Sequence, residues 1–403
     1  MSYSLPGLVM TDHELQVPLD HANPDGEQIK VFAREIAEPD GRDKPFLVFF
    51  QGGPGFEAFR PVGNPRGPGY LDRALQEFRV LALDQRGTGR STPVDGTESA
   101  DYLKHFRADS IVRDAELLRE QLSVKRWSIL GQSFGGFCAF AYLSLAPDSL
   151  REALVTGGTP PIGRPVDDVY SATWARMAER NRRYYARFPQ DRARMLDIVA
   201  RLDADVVRLP GLDRLTSRRF RTHGNKLGMS DGAEALHYIL ELPFGSPAFL
   251  HDASDELGIA RNPIYAILHE ACYADGTVTN WSAARTRPAE FDEHPEWFTG
   301  EHILPWLFDD YGALSTAREV AHELAMVEWP RLYDEDVLRA NTVPIAAAIY
   351  TEDPYVERRF SEETAALVPG MHAWVTSEYD HNGLRADGER ILSRLIDLVR
   401  GRA

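Results

Sequence analysis

Four stretches of the chain are apolar almost throughout, and each runs into glycine. They are Phe46–Phe50 (FLVFF) before Gly52-Gly53-Pro54-Gly55, Phe78–Leu83 before Asp84 and a glycine-rich loop, Trp127–Leu130 before Gly131, and Leu154–Thr156 before Gly157-Gly158. A strand with one wet face alternates in polarity, whereas a strand covered on both faces does not. These runs therefore predict a mostly parallel sheet with helices on either side. Helical spacing does lie between them. Ile111, Ala115, Leu118 and Leu122 share a face of a helix expected over Ile111–Leu122 with Ser110 as its cap, and Phe134–Ala146 reads as a second helix stopped by Pro147. The alternation predicts a doubly wound α/β fold. Two short polar-alternating strands, near Glu14–Leu19 and Ile29–Ile36, are expected ahead of it.

From about residue 160 to residue 339 the texture changes to Arg, Trp, Tyr and Leu at helical spacing, with few strand-like runs. Strand texture returns at Val343–Tyr350 and Ala373–Thr376, and a last amphipathic helix is expected over Gly388–Val399. The expected organisation is a core from residues 1–159 and 340–403, interrupted by a mostly helical insertion, 160–339. The 403 residues carry 45 Lys and Arg against 61 Asp and Glu, a net charge of −16. Such a chain is a poor generic nucleic-acid binder. No run approaches the roughly 18 apolar residues of a bilayer span, so no membrane partner is expected. The N-terminal stretch lacks the basic start and apolar core of a signal peptide, and two isolated cysteines, Cys138 and Cys272, suit a reducing cytoplasm. Composition leaves the oligomeric state open.

The sharpest local signal is Gly131-Gln132-Ser133-Phe134-Gly135, a G-x-S-x-G that follows an expected strand and opens an expected helix. A nucleophile on so tight a turn leaves no room for side chains two residues to either side, hence the glycines. The helix start behind it offers N–H groups and positive potential to a developing oxyanion. A serine hydroxyl also needs a base oriented by an acid. In the α/β hydrolases these follow in the order Ser, acid, His. Asp353, after the Val343–Tyr350 strand, is the candidate acid, although order alone does not separate it from Glu352. His381, between the last strand and the last helix, is the candidate base. The oxyanion donors expected are the N–H of Phe134 and that of Gly53, with Gly52 as the alternative.

Taken together, QGGPG at Gln51–Gly55, DQRGTGRS at Asp84–Ser91 and GQSFGG at Gly131–Gly136, followed by Asp353 and His381, resemble the proline iminopeptidase (prolyl aminopeptidase) family of serine peptidases. The resemblance implies an α/β-hydrolase fold with a helical cap, no cofactor, and release of an N-terminal residue, usually proline, from small peptides. The family's Ser, Asp and His fall on Ser133, Asp353 and His381, and its oxyanion glycine within Gly52–Gly53. One departure is Gln51, where the family's glycine motif usually begins with His; that His is not a triad member. The insertion also looks larger than the cap of the shorter members.

An aminopeptidase must hold a free, charged amine, and in a closed site an ammonium needs carboxylate partners. The resemblance implies that glutamates of the cap supply them. By local pattern these are Glu270 (in YAILHEACY) and Glu301 (in FTGEHILPWLF), with Glu241 (in HYILELPF) as a third candidate. An esterase or amidase on the same scaffold is the alternative, and it would leave these glutamates without a role. A non-catalytic binding protein is disfavoured by the apparently complete triad. No P-loop, dinucleotide fingerprint or H-E-x-x-H occurs.

Overall fold

The computed structural model describes residues 2–63, 66–254 and 259–403, so residues 255–258 of the expected insertion lie outside it. Nine strands form one sheet: β1 (Ser2–Leu5), β2 (Leu8–Pro18), β3 (Gln28–Ala37), β4 (Phe46–Phe50), β5 (Arg79–Asp84), β6 (Trp127–Gln132), β7 (Leu150–Thr156), and then, after a two-stranded hairpin of β8 (Val207–Arg208) and β9 (Arg214–Leu215), β10 (Ile345–Tyr350) and β11 (Met371–Thr376). Their order in the sheet is β1-β2-β3-β5-β4-β6-β7-β10-β11. The first three pair antiparallel, β3 meets β5 antiparallel, and every pairing from β5 to β11 is parallel. This is the mostly parallel, doubly wound sheet expected from the apolar runs, and it fits the α/β-hydrolase fold that the resemblance implies.

The absence of alternation in those runs has a direct cause. In β4, Phe46, Val48 and Phe50 enter one apolar cluster while Leu47 and Phe49 enter another. In β5, Leu81 and Leu83 join the first cluster, and Val80 and Ala82 the second. The helices Ala108–Gln121 and Phe134–Leu145 contribute to the first cluster; Leu71–Leu75 and Gly388–Val399 contribute to the second. Each face of the sheet thus has its own core. At about 1.5–3 kcal/mol gross per large apolar side chain, the five residues of β4 alone contribute roughly 10 kcal/mol before entropy is counted.

Element ends differ from the sequence expectation where long-range contacts override local capping preference. The helix expected from Ile111 runs Ala108–Gln121, and Ser110 sits inside its first turn. The cap position is Arg107, whose extended backbone is fixed by a buried guanidinium that donates to the carbonyls of Ala274 and Pro330. An Arg held by long-range contacts outweighed a local serine preference. The strand-like beginning also proved longer than expected: β2 spans 11 residues, and β1 folds back on it. Between β7 and β10 the described residues are mostly helical, beginning with Val166–Arg187. Among the described residues no helix is long and apolar enough to cross a membrane.

Candidate active site

Ser133 stands between β6 and the helix Phe134–Leu145 with φ 53° and ψ −124°, a conformation that a side chain bears only when the surroundings impose it. The surroundings here are backbone. A Cβ on Gly131 would lie 2.3 Å from the carbonyl oxygen of Gly135, and one on Gly135 would lie 1.9 Å from that of Phe50. The Ser133 N–H is held by Thr156 O at 3.0 Å. As the first residue of its helix, Phe134 has an N–H with no carbonyl to reach within the helix.

His381 bridges the serine and the acid. Its Nε2 lies 2.9 Å from Ser133 Oγ, and its Nδ1 lies 2.7 Å from Asp353 Oδ2. The tautomer protonated on Nδ1 donates to Asp353 and leaves Nε2 to accept from the serine hydroxyl. Asp353 is buried, and its other oxygen accepts the N–H groups of Tyr355 (2.9 Å) and Val356 (3.1 Å). Burial opposes a charge on His381, yet the Asp353 carboxylate and its hydrogen bond outweigh it and hold the imidazole above its ordinary value. Glu352, the neighbour of Asp353, turns instead to Arg176 and Arg183, at 3.3 and 2.9 Å.

The glycine motif lies alongside. A Cβ on Gly52 would meet Ser133 Cβ at 3.1 Å, and Gly53 has φ +136°, which favours glycine. The DQRGTGRS loop supports it from below. Gln85 donates to Gln51 O at 3.0 Å, and the Asp84 carboxylate accepts from Ala58 N and Arg90 N. Arg86 is wholly buried, ion-paired with Asp114, and donates to the carbonyls of Pro18, Leu19 and His105.

The three glutamates diverge. Glu301 accepts from the Tyr265 hydroxyl, lies 3.8 Å from His269 Nε2, and is near enough to the triad for the charges of His381 and Asp353 to act on it. Its side chain is 15% exposed. Burial pushes its carboxyl up to about 7, against the pull of His381 and the Tyr265 hydrogen bond. Glu270 is buried, but its two oxygens accept the N–H groups of Ser282 and Ala283, so it caps the short helix Ser282–Arg285. Glu241 is 46% exposed and pairs with His237 at 3.3 Å and, more loosely, Arg194 at 3.9 Å; an amine there would keep its water.

Several residues around this site carried no sequence signal singled out above. Tyr355 packs its ring on His381, with centroids 4.6 Å apart, and donates to Asn225 O. Arg180 donates to Glu352 O and to Asp380, the residues immediately before Asp353 and His381. His269 is buried, neither ring nitrogen has a hydrogen-bond partner, and burial depresses it to about 4, so it is neutral. The spacing Tyr265, His269, Tyr273, every fourth residue on one helical face, could have flagged the last group.

Residues 45–382 match the family described as alpha/beta hydrolase fold. A proline iminopeptidase of Aeromonas sobria is 48% identical over 424 aligned residues, spanning 99% of this chain and 99% of that protein. A proline iminopeptidase of Aspergillus aculeatus is 33% identical over 435 aligned residues, spanning 100% of this chain and 96% of its own. With the sheet order above and a serine elbow in front of it, a match of this extent means that the chain belongs to the proline iminopeptidase family of the α/β-hydrolase superfamily.

Proposed function

We propose that the protein is a serine aminopeptidase that releases N-terminal proline from small peptides through an acyl-enzyme. Ser133 attacks the scissile carbonyl while His381 takes its proton. Asp353 holds the imidazole and steadies its charged form. The N–H groups of Phe134 and Gly53 receive the oxyanion, His381 protonates the leaving amine, and water then releases the acyl group by the same route. The observation that carries the aminopeptidase reading is Glu301, a largely buried carboxylate beside the triad. An esterase has no need of such a charge, whereas a substrate ammonium does. Of the three glutamates, Glu301 is the one we assign to the amine. The aromatic series Phe134, Phe137, Tyr273 and Tyr170, with successive ring centroids 6.5, 5.6 and 5.6 Å apart, supports an apolar seat for a pyrrolidine ring.

We read residues 160–339 as a cap on a core of residues 1–159 and 340–403. The cytoplasm suits the two free thiols, Cys138 and Cys272. Proline β-naphthylamide and its N-acetyl derivative test the reading. The free amine is expected to be hydrolysed and the blocked one spared; equal rates would leave an esterase or amidase. Labelling by a fluorophosphonate should vanish in Ser133→Ala, and label that persists would remove Ser133 as nucleophile.

A further inference from the structure

A cavity of about 550 Å³ opens beside His381. Its lining includes His381, Asn382 and Gln132, the residue before the serine, but neither Glu301 nor Tyr265. His381 thus feels the charge of the carboxylate assigned to the substrate amine and also lines a space that this carboxylate does not line. Chemistry distinguishes their uses. The leaving nitrogen must come within reach of His381 to be protonated, while the amine of the first residue is held at Glu301. The chain beyond the scissile bond therefore leaves past His381, and this cavity is space beside His381 that Glu301 does not line.

We propose that this cavity is the leaving-group subsite, which takes the second residue of the peptide and favours a large apolar or aromatic side chain there. The proposal rests on the aminopeptidase reading and deepens it. The walls are apolar where that side chain would lie: Phe49, Phe59 and Tyr70 from the core, Met229 and Ala235 from the insertion, and Leu384 from the segment after His381. Phe49, Phe59 and Tyr70 form a ring cluster with centroids 5.4–5.6 Å apart. Polar groups within this lining point to a peptide rather than a hydrocarbon. Asn225 is 3% exposed and its Oδ1 has no partner, which leaves an acceptor for a main-chain N–H. The Tyr70 hydroxyl, likewise buried, has no partner either. An exposed ion pair, Asp231 with Arg385 at 2.8 Å, stands at the rim.

The test compares Pro-Phe-NH2 with Pro-Gly-NH2, and both with prolinamide, whose leaving group is ammonia and needs no subsite. The purified wild-type enzyme is expected to prefer the phenylalanine peptide over the glycine one by about tenfold in kcat/KM, the worth of burying a large apolar side chain. Ala235→Trp, which fills the cavity, should bring that ratio down toward unity, and the milder Ala235→Leu should lower it part of the way. A wild-type enzyme indifferent to the second residue would overturn the subsite while leaving the aminopeptidase reading intact. So would an unchanged ratio in both variants. Failure to hydrolyse any of the three free-amine substrates would instead overturn the aminopeptidase reading, and the subsite with it.

Discussion

Burial holds the Glu301 carboxyl up at about 7, and if this carboxylate holds the substrate amine, as proposed, the residue has opposite effects on activity and stability. Binding an ammonium needs the ionised form, and His381 must be neutral to act as a base. The acidic limb of kcat/KM for a proline substrate should therefore rise through both ionisations. In Glu301→Gln the limb should become shallower, keeping only the His381 step, and kcat/KM should fall by about a hundredfold or more, the cost of an unpaired buried charge. For folding, the sign is reversed. A carboxyl whose folded value lies above its unfolded one contributes stability in full below about 4.5, and that contribution is lost as pH rises through about 7. Glu301→Gln should accordingly unfold at a higher temperature than the wild type at pH 8, by the equivalent of about 3 kcal/mol, and show no such gain at pH 4. Calorimetry at the two pH values checks this; equal shifts at both would mean that the carboxyl does not titrate there. The residue was legible in the sequence as a glutamate set among aromatics. Its distinction from Glu270 and Glu241 was not, because helix capping and solvent exposure depend on contacts made far along the chain.

At the scale of elements, the strand–turn–helix around Ser133 was readable because its demands are local. Glycine is required wherever one backbone passes within contact of another, and five consecutive residues report it. Gly135→Ala would drive a methyl into the Phe50 carbonyl and should cost about 3 kcal/mol or more, visible as a lowered unfolding midpoint or loss of soluble protein. The support of the base was not readable. Arg180 lies in the helix Val166–Arg187, some 170–200 positions from the groups it holds, Glu352 O and Asp380. Arg180→Met should free both loops, lower kcat roughly tenfold with KM much less affected, and slow acylation by a fluorophosphonate in parallel. A change in KM alone would assign Arg180 to substrate binding instead. The helix start at Ala108 was misplaced for the same reason: Arg107 is fixed by carbonyls near residues 274 and 330.

On the scale of the whole molecule, the two cores on either side of the sheet follow from the apolar runs, and the parallel order of β5 to β11 follows from the helices between them. The pairing of β1 to β3 as an antiparallel flank was hidden, since short alternating strands do not announce their partners. Arg86, wholly buried, ties two separate segments, at Pro18–Leu19 and at His105, to Asp114. Arg86→Met would leave the buried Asp114 with His21 as its remaining ionisable partner and should cost about 3 kcal/mol, read as a drop in the denaturant midpoint with no change in slope.

The triad loops lean on the long segment between β7 and β10. The His381 N–H bonds Gly228 O, Tyr355 bonds Asn225 O, and Arg180 spans both loops. The loops that carry Asp353 and His381 are consequently bound into that segment rather than independent of it. A trimmed version of the chain that kept every strand of the large sheet would retain the serine turn but lose the struts that hold the loops of Asp353 and His381.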